Sequence, residues 1–310
     1  MTSADAIIGT ANRPKRSPAS KRRARNEALI SYLFLAPYII LLLMFGVLPV
    51  LYAFGLSFFD TIEGTFWWFT NYATAFADFR FGTTISNVLS FIAIWLTAMV
   101  IGVLGLSLIL DTLKRRMATS LRTVFFLPGA ITSSAIVVLW LFMLDPAVSP
   151  FQPLLHLMGW TSRQNVVSHV GFAGVFALMA FFSGSGSWIV VLGGALSSLP
   201  QEVMEAAKID GANRWQTAML IKVPMIWRSV ALMAILCFAG GLQIFLEPQL
   251  MRLAGEQYSQ TDWSVNQLAF VYAFNMGDFG TSAALSTMLL AISISIALII
   301  IFVTKFYKID

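Results

Sequence analysis

The stretch "EAAKIDGANRWQTAMLIKVP", Glu205 to Pro224, is amphipathic within a chain that is otherwise strongly apolar. It carries five charged side chains in twenty residues, and long apolar runs lie on both sides of it. Charged side chains are costly to place in a lipid bilayer. The stretch therefore lies outside the bilayer, and the apolar runs around it decide the fold.

Composition indicates a membrane protein. Hydrophobic residues make up 58% of the 310 residues and charged residues only 11%, against about 25% charged residues in a typical soluble domain. The single cysteine, Cys237, permits neither an intrachain disulfide nor a cysteine-based metal cluster. His156 and His169 have no carboxylate or cysteine at ligand spacing, so we predict no metal site and no cofactor bound by this chain.

Six apolar runs are long enough to span a bilayer, which takes about 20 helical residues. They lie at Ala28–Phe54, Thr84–Leu110, Leu121–Leu144, Val166–Leu192, Ser229–Leu246 and Ala283–Thr304. We therefore predict an all-α integral membrane protein with six transmembrane helices.

The distribution of Lys and Arg predicts the orientation. Six spans place both termini on one side, and 17 of the 20 basic residues fall on that side. The positive-inside rule then puts both termini in the cytoplasm. The pI near 9.5 follows from this topology and gives no reason to expect a nucleic-acid partner. The expected location is the bacterial cell membrane.

We divide the chain into a basic cytoplasmic tail, residues 1–27, and a transmembrane domain, residues 28–310. The tail is polar and is predicted to be disordered, and the apolar run that follows it is too long for a cleaved secretory signal. The longest cytoplasmic loop, residues 193–228, lies between the fourth and fifth spans and contains the stretch quoted above.

That loop is predicted to form two short helices. Ser198 is expected to cap the first, with Gln201 at the spacing of a capping box. Gly211 is expected to end this helix in the left-handed conformation. Asn213 is expected to cap the second helix, and Pro224 to close it or to kink it into the fifth span.

The loop resembles the "EAA---G---------I-LP" motif of importer permeases of ATP-binding cassette (ABC) transporters. The matching residues are Glu205, Ala206, Ala207, Asp210, Gly211, Ala212, Ile221 and Pro224. Val223 stands where that family usually has Leu. The segments "LQIFLEPQL" and "AFNMGDFGTSAALSTMLLAI" are similar to the carbohydrate-uptake branch of the family, which includes maltose, lactose and glycerol-phosphate permeases.

The resemblance implies that the first loop helix docks on a cytoplasmic ATPase subunit. Glu205 would pair with the ATPase surface, Ala206 and Ala207 would pack in its groove, Asp210 would hold the corner, and Gly211 would make the turn. The implied partners are two ATPase copies that bind ATP and Mg, a second homologous permease and an extracellular solute-binding protein. The chain would form half of a path for a sugar or sugar-like solute. The alternative is a generic amphipathic helix on the membrane surface.

The sequence also bears on the source of energy for transport. The sequence has no GxxxxGK[ST] phosphate-binding loop, so we expect this chain to be a transport subunit and not an enzyme. A self-sufficient secondary carrier or channel is the alternative. Proton-coupled carriers commonly place ionisable residues in their spans, and the interiors of the predicted spans hold no Asp, Glu, Lys or Arg. Sodium coupling through backbone carbonyls stays open.

The fourth span contains "FFSGSGSWIVV", Phe181 to Val191. Ser183 and Ser185 offer hydroxyl groups, and Trp188 offers a flat apolar face on which a sugar can stack. These three side chains are candidates for the substrate path. The alternative is close helix packing through small residues.

Three further polar residues are candidates for the same path. Gln243, in the fifth span, either lines the path or bonds a neighbouring helix. Glu247 either meets the substrate or the delivery protein or marks a helix terminus, because Pro248 is expected to end the fifth span there. Asn87, in the second span, is a candidate substrate contact.

Overall fold

The computed structural model describes residues 18–61, 63–254 and 262–303. Within these ranges the regular structure is helical, apart from one isolated bridge between Phe59 and Phe66. The prediction of an all-α fold is confirmed for this part of the chain.

Sixteen α-helices occur in the described residues. The first eight are α1 (Pro18–Leu42), α2 (Leu48–Leu56), α3 (Thr70–Ala77), α4 (Phe79–Ala98), α5 (Leu104–Asp111), α6 (Arg115–Phe126), α7 (Ser133–Met143) and α8 (Gln152–Leu157). The others are α9 (Arg163–Ser197), α10 (Gln201–Ile209), α11 (Arg214–Gln216), α12 (Val223–Met225), α13 (Trp227–Leu242), α14 (Leu246–Leu253), α15 (Val265–Phe270) and α16 (Phe279–Val303). Short π-helical turns occur at Leu43–Val47, Met99–Val103, Thr217–Lys222 and Val271–Asn275, and a 3₁₀ turn at Leu127–Ala130.

Five helical segments of the described residues are long and apolar enough to cross a membrane. They are Ile30–Leu56, Phe79–Asp111, Arg163–Ser197, Trp227–Leu253 and Phe279–Phe302. A sixth crossing results if the bent pair Arg115–Ala130 and Ser133–Met143 is one span. The structure thus gives five or six candidate spans, in the order that the sequence predicts.

The third predicted span is not one continuous helix. The expected helix Leu121–Leu144 is divided between α6 and α7, which meet at an angle of 99°. Ile131 and Thr132 between them are extended, with ψ values of 138° and 146°. Pro128, which has no backbone N–H and whose ring opposes a continuing helix, lies in the 3₁₀ turn just before this break.

The fifth predicted span is also interrupted, but not where the sequence suggested. The helix breaks between α13 and α14, where Phe245 has φ −145° and ψ −49°. Pro248 does not end the helix and instead lies in the first turn of α14. Proline is tolerated in that turn because the N–H groups there have no partner within the helix.

The fourth span is interrupted once, near its beginning. Gly171 in α9 has φ 74° and ψ 151°, a conformation that separates the first turns of this helix from the rest. Glycine adopts this backbone geometry without a Cβ penalty. The "SGSG" stretch, by contrast, remains helical.

The chain divides into two compact units, Met1–Tyr52 and Ala53–Asp310. In the first unit, α1 begins at Pro18, inside the predicted tail, and residues 1–17 of that tail lie outside the described residues. Its side chains from Ile30 onward are almost all exposed and mainly apolar.

The second unit holds two clusters of buried side chains. One forms around Phe176, Trp263 and Leu285, and the other around Met99, Ile189 and Met233. Both clusters draw residues from α4 or its π-helical extension, from α9 and from α13. The long helix α9 is therefore the common support of the unit, and the functional residues below are placed relative to it.

Candidate functional site

A partly enclosed cavity of about 200 Å³ lies between α7, α9 and α14. Residues that line it include Gly129, Ser133, Met179, Ser183, Gly184 and Glu247. Two of the predicted path residues, Ser183 and Glu247, thus meet at one place although 64 positions separate them in the sequence.

The breaks in the third and fifth spans both border this cavity. Ser133 is the first residue of α7, after the first break, and Glu247 lies in the first turn of α14, after the second. Irregular backbone at membrane depth is tolerated where protein buries it or where it lines a water-filled cavity. In many transporters such discontinuous helices form the solute site.

One of the freed backbone groups at the second break has a side-chain partner. The Leu242 carbonyl, at the end of α13, accepts a hydrogen bond of 3.3 Å from the Asn266 amide. This bond satisfies one carbonyl group of the broken helix end.

The three residues predicted in the fourth span do not lie in the same surroundings: one lines the cavity, and two are packed against other parts of the protein. The Ser183 hydroxyl donates to the Met179 carbonyl at 3.1 Å, and the side chain lines the cavity. Ser185 is buried, and Trp188 packs beside the core cluster around Ile189. Ser185 and Trp188 are not among the residues that line the cavity.

Close packing accounts for two glycines, Gly186 in this span and Gly129 before the first helix break. A Cβ at Gly186 would lie 2.0 Å from the Phe125 carbonyl oxygen, and one at Gly129 would lie 2.8 Å from the Ser183 carbonyl oxygen. Such contacts are too short for any side chain. The backbone between Phe125 and Gly129 therefore runs directly against α9. Within "SGSG", Gly186 serves this packing, whereas Ser183 and Gly184 line the cavity.

Two predicted path residues lie away from the cavity lining. Asn87 donates a hydrogen bond of 3.2 Å to the Trp263 carbonyl, so in this structure it ties α4 to the segment before α15. Gln243 is exposed at the break after α13. Neither residue is among those that line the cavity.

Sequence reasoning did not identify Gly129 and Ser133. Both lie within the predicted third span, which the length of the apolar run predicts to be continuous. The signal was present in "LPGA", because a proline followed by glycine inside an apolar run predicts an interrupted helix. A break at this place would have pointed to the polar residue that follows it.

A charged cluster at the start of the second span was also not predicted. Asp78 caps α4, binds Arg80 through its carboxylate at 2.6 Å and accepts a hydrogen bond of 2.7 Å from the Tyr272 hydroxyl. Asp262 lies 3.5 Å from the same guanidinium. The hydrogen bonds from Arg80 outweigh the effect of burial and lower the pKa of Asp78 to about 2. Burial, followed by the bond to Asp78, raises the pKa of Tyr272 to about 12.

The loop between α9 and α13 has much of its predicted form. Gly211 has φ 77° and ends α10. The Ala212 N–H donates to the Ala207 carbonyl at 3.0 Å and the Gly211 N–H to the Lys208 carbonyl at 3.2 Å, which is the Schellman pattern. Asn213 caps α11 in a reciprocal capping box, as the sequence predicted.

The start of α10 differs from the prediction. Ser198 does not cap it, since its hydroxyl donates at 2.8 Å to the Ala195 carbonyl at the end of α9. The residue at the cap position is Pro200, and Gln201 begins the helix. The Gln201 amide instead reaches forward one turn and donates to the Glu205 carboxylate at 3.0 Å.

The motif residues of α10 lie on different sides of the helix. Glu205, Ala206 and Asp210 are exposed, whereas Ala207 is buried. Ile209 follows with 86% of its side chain exposed. One face of this short helix is thus anchored to the protein, and the acidic and small residues of the other face are open for contact.

The end of the loop is tied to the second span. Lys222, the last residue of the π-helical turn Thr217–Lys222, forms an ion pair of 2.5 Å with Asp111, the last residue of α5. Pro224 lies in the first turn of α12, and the backbone bends at Ile226 before α13 begins. Pro224 therefore marks the junction between loop and fifth span, as predicted.

A helical membrane fold with a polar cavity between broken helices and an exposed helix–turn element is the architecture expected of a transport permease. The chain belongs to the family described as "Binding-protein-dependent transport system inner membrane component", which it matches over residues 113–309. The matched region contains both the cavity and the loop. This family match confirms the prediction that the chain is an ABC importer permease.

Relatives cover almost the whole chain. It is 28% identical over 299 residues to the "Probable ABC transporter permease protein YurN" of Bacillus subtilis, with 90% of this chain and 96% of that protein covered. It is 27% identical over 300 residues to the "Trehalose/maltose transport system permease protein MalF" of Thermococcus litoralis, with 91% and 96% covered.

The same fold occurs in a solved transporter. A chain in the crystal structure of a bacterial alginate ABC transporter, in complex with an alginate pentasaccharide-bound periplasmic protein, superimposes with a TM-score of 0.75 at 18% identity. The superposition covers 90% of this chain and 94% of that chain. At this identity the likeness shows the fold.

Proposed function

We propose that this chain forms half of the translocation path for a sugar or sugar-like solute in an ABC importer. The observation that carries the proposal is the polar cavity between the two broken helices, inside the region that matches the permease family. The hydroxyls of Ser133 and Ser183 and the carboxylate of Glu247 suit a solute rich in hydroxyl groups. The trehalose/maltose relative supports a carbohydrate.

A second, homologous permease supplies the other half of the path. Residues on the α7 side of the cavity, Ile131 and Ser133, are exposed in the single chain. A path through a membrane requires that polar surface to be enclosed, because lipid offers it no hydrogen bonds. An extracellular solute-binding protein delivers the solute, in line with the family description.

Both termini, and with them α10 and α11, lie in the cytoplasm in this proposal. The positive-inside rule supports that orientation. There, α10 docks on one of two ATPase subunits, which bind ATP and Mg. Glu205 and Ala206 lie on its open surface, Asp210 caps it, and Gly211 fixes the corner that leads to α11. Closure of the ATPases moves α10 and, through the loop, the spans on either side.

Co-purification of the ATPase tests the docking. Gly211→Pro should abolish it, because proline fixes φ near −65° and cannot adopt the φ of 77° found here. Glu205→Lys should also abolish it, because it reverses the charge on the docking surface while leaving the helix intact.

Glu202→Lys is the matched control for the charge reversal. It lies in the first turn of the same helix, is exposed, and is not part of the motif. It should retain the ATPase, and all three variants should insert into the membrane in normal amounts. Wild-type levels of ATPase with both Gly211→Pro and Glu205→Lys would refute the docking role.

A further inference from the structure

Among the described residues that line the cavity, Glu247 has the only ionisable side chain. The other lining residues are apolar, glycine or serine. In the described part of the chain, Glu247 has no cationic side chain within ion-pair distance. Its charge is therefore not neutralised by a neighbouring side chain and acts on whatever enters the cavity.

The amino end of α7 also faces this space, through Ser133. The field of a helix amino terminus is equivalent to about half a positive charge and falls off within the first turn. A full carboxylate charge is larger. The amino end of α14 adds a similar partial charge, because Glu247 lies in its first turn. Both partial charges are spread over several backbone N–H groups, so the part of the cavity wall that the carboxylate forms is negative.

We propose that Glu247 makes the cavity selective by charge, so that it accepts neutral or amine-bearing polyhydroxylated solutes and rejects those with a carboxylate or phosphate group. The proposal rests on the proposed function, in which the cavity is part of the solute path. Confined charges interact more strongly than charges in open water, because the surrounding protein has a lower effective dielectric. Hydroxyl groups and ammonium groups donate hydrogen bonds to a carboxylate, whereas anionic groups are repelled by it.

Charged thiol reagents measure this selectivity without knowledge of the natural solute. The chain has one cysteine, the buried Cys237, which is first replaced by alanine. Ser183→Cys then places a reporter thiol in the cavity, and Ser133→Cys provides a second reporter on the opposite wall. Each is reacted with a cationic and an anionic methanethiosulfonate of similar size, in membranes that contain the full chain with its partner subunits.

The quantity of interest is the ratio of the cationic to the anionic reaction rate. With Glu247→Gln, this ratio should fall by about tenfold at Ser183→Cys and should fall in the same direction at Ser133→Cys. Glutamine has nearly the same size and keeps the polar contacts, so the change isolates the charge. As a control, the ratio at Ser198→Cys, at the exposed end of α9, should not change.

The outcomes separate the inference from the function on which it rests. A ratio that Glu247→Gln leaves unchanged at both cavity reporters overturns the charge selectivity and leaves the path in place. A failure of both reporters to react with either reagent, in resting and in ATP-bound transporter, overturns the path itself and the inference with it.

Discussion

Gly186 has the least room for a side chain of any glycine in the fourth span. A Cβ there would lie 2.0 Å from the Phe125 carbonyl oxygen, and the neighbouring backbone atoms of Phe125 and Phe126 are within 2.7 Å. Backbone cannot rotate away from such a contact as a flexible side chain can. The residue therefore fixes how closely the segment before the first helix break approaches α9.

Gly186→Ala should lower the stability of the fold by about 1–3 kcal/mol, the usual cost of overpacking. Gly194→Ala on the same helix is the control, because a Cβ there meets nothing within 4 Å. Thermal unfolding in detergent should show a lower midpoint for the first variant and an equal or higher midpoint for the second. Equal midpoints for Gly186→Ala and the wild type would contradict the close packing.

Asp78 gives a prediction about pH. Its pKa is lowered from 3.8 to about 2 in the folded protein, so the unfolded chain takes up this proton first as the pH falls. The stability that Asp78 contributes is fully present above about pH 4 and is lost as the pH falls towards 2.

Asp78→Asn should remove that contribution, because the amide carries no charge to pair with Arg80. The variant should be less stable than the wild type at pH 7, and the difference should shrink between pH 4 and pH 2. Thermal unfolding at a series of pH values measures this. A difference that is independent of pH would show that the carboxylate charge does not matter.

At the scale of the elements, interruptions carry more functional information than the regular helices do. The break between α6 and α7 and the break between α13 and α14 both border the cavity. Ser133 and Glu247, which line it, lie in the first turns of the helices that follow these breaks. The loop after α9 is similar, since the docking role that we propose for it depends on the left-handed corner at Gly211. Each interruption exposes backbone or side-chain polar groups at a defined place.

The ion pair between Lys222 and Asp111 joins the loop that holds α10 to the end of the second span. Both side chains are about one-fifth exposed, so the removal of one partner leaves a partly buried charge. Lys222→Ala and Asp111→Ala should each lower stability by about 1–3 kcal/mol, between the values for exposed and buried pairs.

The charge swap Asp111→Lys with Lys222→Asp is the sharper test. It should recover part of the loss seen in the two single reversals, measured by thermal unfolding and by ATP-dependent uptake in the assembled transporter. Strictly additive losses in this cycle would show that the two residues do not interact.

At the scale of the whole molecule, the position of Glu247 changes one part of the sequence argument. The predicted span interiors hold no carboxylate, whereas the structure places Glu247 within the candidate span Trp227–Leu253 and on the wall of the cavity. The absence of ionisable groups therefore no longer argues against a self-sufficient carrier. The family match, which includes the loop and the cavity together, now supports the importer permease instead.

The orientation of the molecule is testable with single cysteines in the Cys237→Ala background. Arg214→Cys, on the exposed start of α11, should react with a membrane-impermeant thiol reagent in inside-out vesicles and not in intact cells. Leu157→Cys, in α8, where the native side chain is 86% exposed, should show the opposite behaviour. Reaction of Arg214→Cys from outside intact cells would reverse the proposed topology.

The sequence by itself determined the class of the protein, the order of its candidate spans and the corner of its loop. These follow from local chemistry: continuous apolar runs predict membrane helices, and glycine at the end of a short helix predicts a left-handed turn. The residues Gly211 and Asn213 needed no tertiary information to be assigned correctly.

Only the tertiary structure decided which polar residues meet. Ser133, Ser183 and Glu247 share a cavity because α7, α9 and α14 pack together, while Asn87 instead bonds the Trp263 carbonyl. Proline does not by itself locate the helix breaks that border this cavity: Pro128 lies just before a break, whereas Pro248 lies in the first turn of α14. Proline is tolerated in the first turn of a helix, and the break at Phe245 that puts Pro248 in such a turn is a feature of the folded structure that the sequence pattern did not show.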